Sequence, residues 1–524
     1  MAMDIETDHS WMPHLLNSFV LLLVATSVLG WVWIQRSCGR LISLAKTLPM
    51  VDPPVPLLGH LLSAIVNPKT KGLSKKFLLE MLTRAAEKGM DVYTVWLGPY
   101  PMVFVQKPED VQLIYTRPAT MHKGFIYKMV EFAVGSGLLT GPVPKWKLIR
   151  RHFLPVFHGS NLEHVVPSSN DRGRQVVKIL REHCSNSPTD ILPLMRIPTF
   201  VNVCHLLFGK DAPRLIPGEE VQKRAVNSIM RTLELWSIRF LQPWLFPDWL
   251  FKIFYKKDVT EMEEVTELLT RETVELLKDR IKTVENKDIA DSVDGERRTI
   301  IDAFISLKQA DPSFNEQDFQ HEVVTICAAG TNSAAVSLSS NLLALAWHPD
   351  VQEKLYEEIV NVMGDDLNRD VTSEDLKRMT YLDQVLRETW RRYTVFPYNQ
   401  RWTTEDLPLS FGVLPAGSYI HVGMLGVHMN PKIYPDPDKF DPERFSAENS
   451  ANRHKFSLLP FSGGPRNCIA MAYATQFLKI VIVSVVKEYK LYTNADTKKA
   501  SFRFVIEAQR ENGYPIWVVK RSSS

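Results

Sequence analysis

The chain lacks the cysteine content of a disulfide-stabilised protein. Its 524 residues include only five cysteines, an odd number scattered without paired spacing: Cys38, Cys184, Cys204, Cys327 and Cys468. Domains that depend on disulfides carry cysteines in dense, paired sets. The sequence therefore indicates that the main domain folds in a reducing compartment.

An excess of charge of one sign is also missing, as are internal repeats and long low-complexity tracts. The net charge of +3 is too small to indicate nucleic-acid binding. Apolar residues make up 45% of the chain, enough for a large core. No long charged or flexible linker follows residue 59, so residues 49–524 are interpreted as one cytosolic catalytic domain with a stiff, proline-rich hinge at residues 49–56.

Charge is absent from one long apolar run, residues 15–34. Twenty helical residues span roughly 30 Å, the thickness of the hydrocarbon core of a bilayer. Arg36, Arg40 and Lys46 follow the run, which places the preceding tip across the membrane and the bulk of the chain in the cytosol. Residues 1–48 are thus predicted to form a lumenal tip, a single-pass anchor and a basic flank; a cleaved signal peptide is the alternative.

The pattern of apolar residues predicts a mainly helical protein with small β-sheets. Helical periodicity covers residues 319–345 and 376–392, and a long apolar helix is predicted at residues 469–486. Segments rich in β-branched and aromatic residues predict strands within residues 91–105, 398–402, 410–422 and 502–519.

One cysteine lies in a glycine-rich loop, in the sequence FSGGPRNCIA at residues 461–470. Gly463 and Gly464 allow a tight turn around a bound group. Cys468 precedes the predicted helix, and a helix N-terminus lowers the pKa of a thiol. Such a thiolate is a metal ligand or a nucleophile, whereas the alternative is an inert buried cysteine.

This loop resembles the haem-binding loop of the cytochrome P-450 superfamily, whose pattern is F-x-x-G-x-R-x-C-x-G. Phe461, Gly464, Arg466 and Cys468 match that pattern, and Ala470 replaces its last glycine. The resemblance implies haem b with an axial thiolate from Cys468. It also implies the mainly helical cytochrome P-450 fold and a monooxygenase activity.

Glu388 and Arg391 lie three residues apart on one face of a predicted helix. Alone, such residues are most often an ordinary surface ion pair. By the same resemblance they are the E-x-x-R pair of the family, which joins Arg444 in a buried cluster. Because breaking a buried ion cluster leaves an uncompensated charge, the three residues are expected to form a structural lock for the cysteine loop.

Four residues are the expected partners of the haem propionates by resemblance: Trp146, Arg150, Arg401 and Arg466. Guanidinium groups suit carboxylates through their planar, paired donors. Further basic residues, Lys145, Lys147, Arg151 and His152, indicate a docking surface for an acidic electron donor, against the alternative of a solvated face. The implied donor is an NADPH-dependent flavoprotein reductase, with cytochrome b5 as a further candidate.

The oxygen side of the haem departs from the family. Residues 329–333 align with the distal-helix motif A-G-x-(Asp or Glu)-Thr, but Asn332 replaces the acid and Ser333 the threonine. Gly330 could allow a local opening of the helix. Ser333 keeps a hydroxyl donor, but Asn332 cannot carry a proton, so replacing it with aspartate is expected to improve product formed per NADPH.

Several segments resemble the family-4 clan of microsomal members, which implies an endoplasmic reticulum membrane protein. The resemblance favours a lipophilic substrate: a fatty acid, terpenoid, sterol or xenobiotic. Ala329 stands where many members carry a glutamate that esterifies the haem, so no ester is expected. The aromatic segment 240–254 either dips into the bilayer or forms a core helix.

The leading interpretation is therefore a membrane-anchored haem-thiolate monooxygenase that hydroxylates a lipophilic substrate with dioxygen. The altered pair Asn332 and Ser333 leaves two alternatives open. One is a haem-thiolate isomerase or dehydratase that needs no reductase. The other is a haem-binding protein without turnover.

Overall fold

The structure is a computed structural model that describes residues 25–26, 28–60, 77–185, 187–242, 245–285, 298–494, 496 and 502–521. Most of the predicted anchor, residues 15–34, lies outside the described residues. Its last part is helical, and Leu29 and Trp33 are exposed there. That the segment spans a membrane remains a prediction.

Helices form most of the described chain. Labelled in chain order, they are α1 (Gly39–Thr47), α2 (Phe77–Glu87), α3 (Pro108–Thr116), α4 (Phe125–Lys128), α5 (Glu131–Val134), α6 (Val143–Phe153), α7 (Val166–Cys184), α8 (Leu192–Phe208), α9 (Ala212–Leu215), α10 (Gly218–Leu241), α11 (Asp248–Phe254), α12 (Lys256–Glu285), α13 (Ile300–Ala310), α14 (Glu316–Trp347), α15 (Pro349–Met363), α16 (Ser373–Arg378), α17 (Thr380–Arg392), α18 (Met424–His428), α19 (Ala447–Ser450) and α20 (Met471–Glu488). The predicted mainly helical architecture is confirmed.

Short strands and short 3-10 helices form the remaining regular structure. The strands are β1 (Val92–Leu97), β2 (Tyr100–Val105), β3 (His122–Lys123), β4 (Thr189–Asp190), β5 (Asn399–Trp402), β6 (Leu407–Leu409), β7 (Gly412–Leu414), β8 (Tyr419–Val422), β9 (Tyr489–Tyr492), β10 (Phe502–Val505), β11 (Glu507–Arg510) and β12 (Pro515–Lys520). They make a five-stranded sheet in the order β1-β2-β8-β5-β3, a three-stranded sheet in the order β4-β12-β9, and the hairpins β6-β7 and β10-β11.

The five-stranded sheet brings two distant cations together. Strand β2 pairs in parallel with β8, β8 pairs antiparallel with β5, and β5 pairs antiparallel with β3. In the last pair Lys123 lies directly opposite Arg401. Because directly opposed residues share one face of a sheet, the register places these two side chains next to each other.

Helix α14 takes part in both large apolar clusters: residues within 319–328 belong to one cluster and residues within 335–345 belong to the other. It begins with a capping box, in which Asn315 Oδ1 accepts from the Asp318 amide at 3.1 Å and Asp318 Oδ2 accepts from the Asn315 amide at 3.0 Å. Among the described residues, α14 and the stretch Leu192–Leu215 are long and apolar enough to cross a membrane. In each stretch, 72% of an apolar 18-residue window is buried inside the protein, as in core helices.

One predicted helix, residues 376–392, is divided in the structure. Helix α16 ends and α17 begins around Met379, whose ψ of 80° is not helical. The carboxylate of Glu358 on α15 accepts the amides of Tyr381 at 2.6 Å and Leu382 at 2.9 Å. It thereby satisfies amides that have no partner at the start of a helix, a contact that local sequence cannot reveal.

Candidate active site

The cysteine loop leads into α20 through a tight turn. The Cys468 amide donates to Phe461 O at 3.0 Å, and Gly464 has a φ of +68°. A Cβ on Gly464 would lie 2.0 Å from Tyr115 O, so the position requires glycine. Ala470 has a φ of −92°, which any residue can adopt, so this departure from the family pattern introduces no backbone strain.

The Cys468 side chain is accessible from an internal cavity and otherwise enclosed by protein. Burial raises the pKa of its thiol, although the Ala470 amide, Arg150 and Lys123 act in the opposite direction. This corrects the expectation that the helix N-terminus would make the pKa low. A metal cation that binds the thiol would deprotonate it.

The expected lock residues lie together beneath the loop. Arg391 donates to both oxygens of Glu388, at 2.7 and 2.9 Å, and both side chains are fully buried. Arg444 Nε lies 3.7 Å from Glu388 Oε1, which also accepts the Asp441 amide at 2.8 Å. The Glu388 carboxylate is thus compensated by two guanidinium groups.

His428 connects this cluster to the cysteine loop and was not identified from the sequence. Arg391 Nη1 donates to the His428 carbonyl at 3.1 Å, and the Leu459 amide donates to His428 Nε2 at 2.7 Å. Burial and the nearby Arg391 lower the pKa of His428 to about 3. The imidazole is therefore neutral, with Nδ1 donating to Thr394 Oγ1 at 2.8 Å.

Two of the expected propionate partners also hold the loop. Arg150 donates to the carbonyl of Asn467 at 2.7 Å and to its Oδ1 at 2.6 Å. Arg466 lies 4.3 Å from the ring of Trp146 and donates to Gly141 O at 2.7 Å. Trp146 and Arg466 are buried, and with Arg150 they line the cavity.

Two more cations lie beside this group. Arg401 is buried next to Lys123 but does not line the cavity, whereas Lys123 lines it and was not identified from the sequence. Lys123 Nζ lies 4.2 Å from the centre of the Tyr127 ring. Burial and the neighbouring arginines lower the pKa of Lys123, and they lower that of Arg466 to about 9. Arg401 Nη2 and Arg466 Nε and Nη1 are buried without a hydrogen-bond partner. Within the described residues no ion pair joins these cations to a carboxylate. Because buried charges are normally compensated, an anionic ligand is expected beside them.

The cavity has a volume of about 360 Å³ and extends from Cys468 to α14. Ala329, Gly330 and Ser333 of α14 line the opposite face, which we call the oxygen side. Apolar side chains line much of the remaining wall, among them Val130, Val134, Leu206, Leu233, Trp236 and Phe240.

The distal motif differs in detail from its expected arrangement. Helix α14 is continuous through Gly330, where a Cβ would lie 2.9 Å from Val203 Cγ2, so this glycine permits close packing rather than an opening. Ser333 Oγ donates to Ala329 O at 2.6 Å. Asn332 is buried and does not line the cavity; its side chain bonds Glu507 and Arg196 instead.

These residues fit a haem. No group of three or more histidine, cysteine or acidic side chains could hold a metal ion within the described part of the chain. Haem iron can take one ligand from the Cys468 thiol, and the anionic propionates of a haem match the uncompensated arginine nitrogens.

A mainly helical fold in which one cysteine, just before a core helix, faces a largely apolar cavity is typical of the haem-thiolate proteins. The family model described as Cytochrome P-450 matches residues 49–511, so the chain belongs to the cytochrome P-450 family. Its activity class is accordingly that of a monooxygenase, an oxidoreductase with a cysteine-ligated haem.

Relatives of family 4 share most of the chain. It is 29% identical over 502 residues to probable cytochrome P-450 4aa1 of Drosophila melanogaster, with 93% of each chain covered. It is 27% identical to cytochrome P-450 4V2 of Homo sapiens, covering 94% of this chain and 93% of that one. Identity to cytochrome P-450 4g1 of Drosophila melanogaster is 28%, over 90% and 88% of the two chains. The predicted resemblance to the family-4 clan is confirmed.

Proposed function

We propose that this enzyme hydroxylates a lipophilic substrate, using dioxygen and electrons that NADPH supplies through a flavoprotein reductase. The observation that carries the proposal is the cavity, which joins the Cys468 thiol to a largely apolar wall. A site of this kind selects substrates by burial of apolar surface and has few groups that fix a polar one. Fatty acids, terpenoids, sterols and lipophilic xenobiotics are the substrate classes to screen.

In this proposal the thiolate of Cys468 would hold the haem iron. Phe461 supports the cysteine loop by packing against Trp390, with 5.1 Å between the ring centroids. The bound haem supplies the binding and reductive cleavage of dioxygen. Trp146, Arg150, Arg401 and Arg466 hold the propionate end, together with Lys123. On the oxygen side, Ser333 presents a hydroxyl group close to the reacting centre.

The haem is held without an ester bond in this proposal. Ala329 lines the cavity where the glutamate of the related enzymes would stand, and a methyl group cannot form an ester. Acidified organic solvent should therefore extract the haem completely. A haem adduct on a peptide of α14, detected by mass spectrometry, would contradict this.

The substrate enters from the endoplasmic reticulum membrane, with the catalytic domain on the cytosolic side. Helix α11 presents three large apolar side chains to solvent: Trp249, Ile253 and Phe254, each at least 65% exposed. An exposed patch of this kind favours the membrane interface. Replacing all three with serine should weaken binding of the protein, truncated before residue 49, to lipid vesicles; unchanged binding would exclude the patch as a membrane contact.

The reductase, and cytochrome b5 as a further donor, are proposed to dock beside α6. Lys147 and Arg151 are exposed there, whereas Lys145 pairs with Asp318 at 2.8 Å and His152 contacts Ser306 at 3.0 Å. Charge reversal of Lys147 and Arg151 should slow haem reduction, most strongly at low salt. Unchanged reduction at low salt would place the docking surface elsewhere.

The test of the activity is oxygen-atom incorporation. The purified enzyme, reductase and NADPH are incubated under labelled dioxygen with members of each substrate class. Labelled hydroxylated product that depends on NADPH supports the proposal. Rearrangement of a hydroperoxide without NADPH or reductase, in the absence of labelled product, would support the isomerase alternative instead.

A further inference from the structure

A buried carboxyl group reaches the oxygen side of the cavity from outside α14. Glu507 is 2% exposed and lines the cavity together with Ser333. It follows Ile506, which forms the tip of the β10–β11 hairpin with a φ of +64°. A β-branched residue seldom adopts this conformation, so its surroundings must hold the tip in place. The adjacent Ala508 amide donates to Val395 O at 2.7 Å and anchors the strand.

Asn332 holds this carboxyl group from the helix. Its Nδ2 donates to Glu507 Oε2, and Gln509 Nε2 donates to the same oxygen at 3.4 Å. Asn332 Oδ1 in turn accepts from Arg196 Nε on α8 at 3.1 Å. Arg196 is partly exposed and does not line the cavity, so the chain of contacts leads from outside the cavity to its wall.

The side-chain amide of Asn332 therefore serves as the hydrogen-bond donor to the carboxyl group of Glu507. An aspartate at position 332, as in the family motif, would set two carboxyl groups within hydrogen-bonding distance. Such a pair cannot ionise fully, because the like charges repel each other. The acidic position of the distal motif is thus occupied by Asn332, and the hairpin supplies the carboxyl group of Glu507 beside it.

We propose that Glu507 is the proton carrier of the oxygen side, in place of the acid that the distal motif lacks at Asn332. This inference rests on the proposed function, since hydroxylation consumes protons as well as electrons. One atom of dioxygen enters the product and the other leaves as water, while NADPH supplies the electrons. Each turnover consumes one proton in addition to the hydride of NADPH. Glu507 gives its proton to the oxygen atom that leaves as water, and the carboxylate then takes up a proton from water that enters the cavity.

The environment of Glu507 suits this task. Burial raises the pKa of Glu507 to about 7, although Asn332, Gln509 and the positive charge of Arg196 act to lower it. These are the groups that face it from α14, from its own strand and from α8. Near neutral pH the carboxyl group is therefore present in both protonation states, the condition under which a proton carrier is most effective.

The first test replaces Glu507 with glutamine, which keeps an oxygen acceptor for Asn332 but cannot titrate. We expect full haem content, continued NADPH consumption, and a rate of product formation lower by about 10²-fold, with peroxide released instead. The fall in product yield as the pH rises above about 7, where Glu507 loses its proton, should disappear in this variant. Glu507→Asp should restore part of the coupling.

Infrared spectroscopy gives a readout that does not depend on turnover. A buried protonated carboxyl band should titrate near pH 7 in the unmodified enzyme and be absent from Glu507→Gln. The matched control is Glu322→Gln, because Glu322 is an equally buried carboxyl on α14 that does not line the cavity. That variant should keep both the band of Glu507 and normal coupling.

Two failures are distinguishable. An unmodified enzyme that forms no oxygenated product with any substrate class overturns the proposed function. An active enzyme whose Glu507→Gln variant keeps its coupling and pH profile overturns the proton carrier alone. An infrared titration that finds Glu507 ionised throughout the neutral range also overturns it.

Discussion

The cysteine side and the oxygen side of the cavity hold their buried acidic groups in opposite ways. Beneath the cysteine loop, Glu388 faces two guanidinium groups, those of Arg391 and Arg444. On the oxygen side, Glu507 is held mainly by the amide of Asn332, and burial raises its pKa to about 7. A charge-compensated carboxylate gives a permanent structure, whereas a carboxyl group held by amides can change its protonation state.

The largest expected effect concerns the cysteine side itself. Replacing Cys468 with alanine removes the proposed axial ligand, so haem should be lost completely. The reduced carbon-monoxide spectrum of the purified protein measures this. Cys184→Ala is the control, because Cys184 is buried away from the cavity lining and should keep the thiolate-type spectrum. A thiolate-type spectrum in Cys468→Ala would refute the ligand assignment.

The second-largest effect is expected of Arg391→Ala, because this change leaves the buried negative charge of Glu388 with less compensating positive charge. We expect a loss of about 3–5 kcal/mol in the free energy of unfolding, seen as low yield and failed haem incorporation. The adjacent Arg392 pairs with Asp438, whose side chain is 80% exposed, so Arg392→Ala should cost at most about 1 kcal/mol. Similar stability of the two variants, measured by denaturant unfolding, would contradict the structural lock.

The cysteine side could be predicted from the sequence because its signals are local. Glycine, arginine and cysteine occupy a ten-residue loop, and Glu388 and Arg391 are one helical turn apart. The parts that sequence reasoning missed depend on distant contacts. Lys123 faces Arg401 only through the register of β3 and β5, and the break at Met379 depends on Glu358 of another helix.

The oxygen side was harder to predict for the same physical reason. The motif at residues 329–333 shows that its acidic position holds Asn332, but it cannot show that a hairpin supplies a carboxyl group there from position 507. A glutamate in a strand-forming segment carries no local signal of burial. Only the packing of the hairpin tip against α14 reveals that Asn332 and Glu507 form a pair.

Asn332→Asp tests this pairing directly. The motif alone suggests that restoring the acid would improve product formed per NADPH. The structure leads us to expect the opposite, a decrease smaller than the roughly 10²-fold effect of losing a proton donor altogether, because the two carboxyl groups would share a proton. Product yield and peroxide release under a fixed NADPH supply measure the change.

The double variant Asn332→Asp with Glu507→Gln is the matched control, since it moves the acid from the hairpin to the helix. It should recover coupling relative to either single variant, a non-additive result expected of residues in contact. Improved coupling in Asn332→Asp alone would show that Glu507 does not carry the proton.

The smallest expected effect is a pH dependence of stability on the helix that forms the oxygen side. Glu322 of α14 accepts the Leu138 amide at 3.0 Å, and burial raises the pKa of Glu322 from 4.5 to about 8. The Leu138 amide and Lys145 act to lower this pKa, and Asp318 acts to raise it. In the folded protein Glu322 therefore keeps a proton that it releases above about pH 4.5 in the unfolded chain. The stabilisation is complete below that pH and is lost as the pH rises towards 8.

Glu322→Gln should remove this dependence, because glutamine keeps the acceptor for Leu138 but does not ionise. Between pH 5 and 8.5 the Tm of the unmodified protein should fall more than that of the variant, by on the order of a few °C. Glu388→Gln provides the contrast. Because two arginines compensate the Glu388 carboxylate, its replacement should leave their charges unpaired and lower the Tm itself. Parallel pH profiles for the unmodified protein and Glu322→Gln would show that Glu322 is ionised in the folded state.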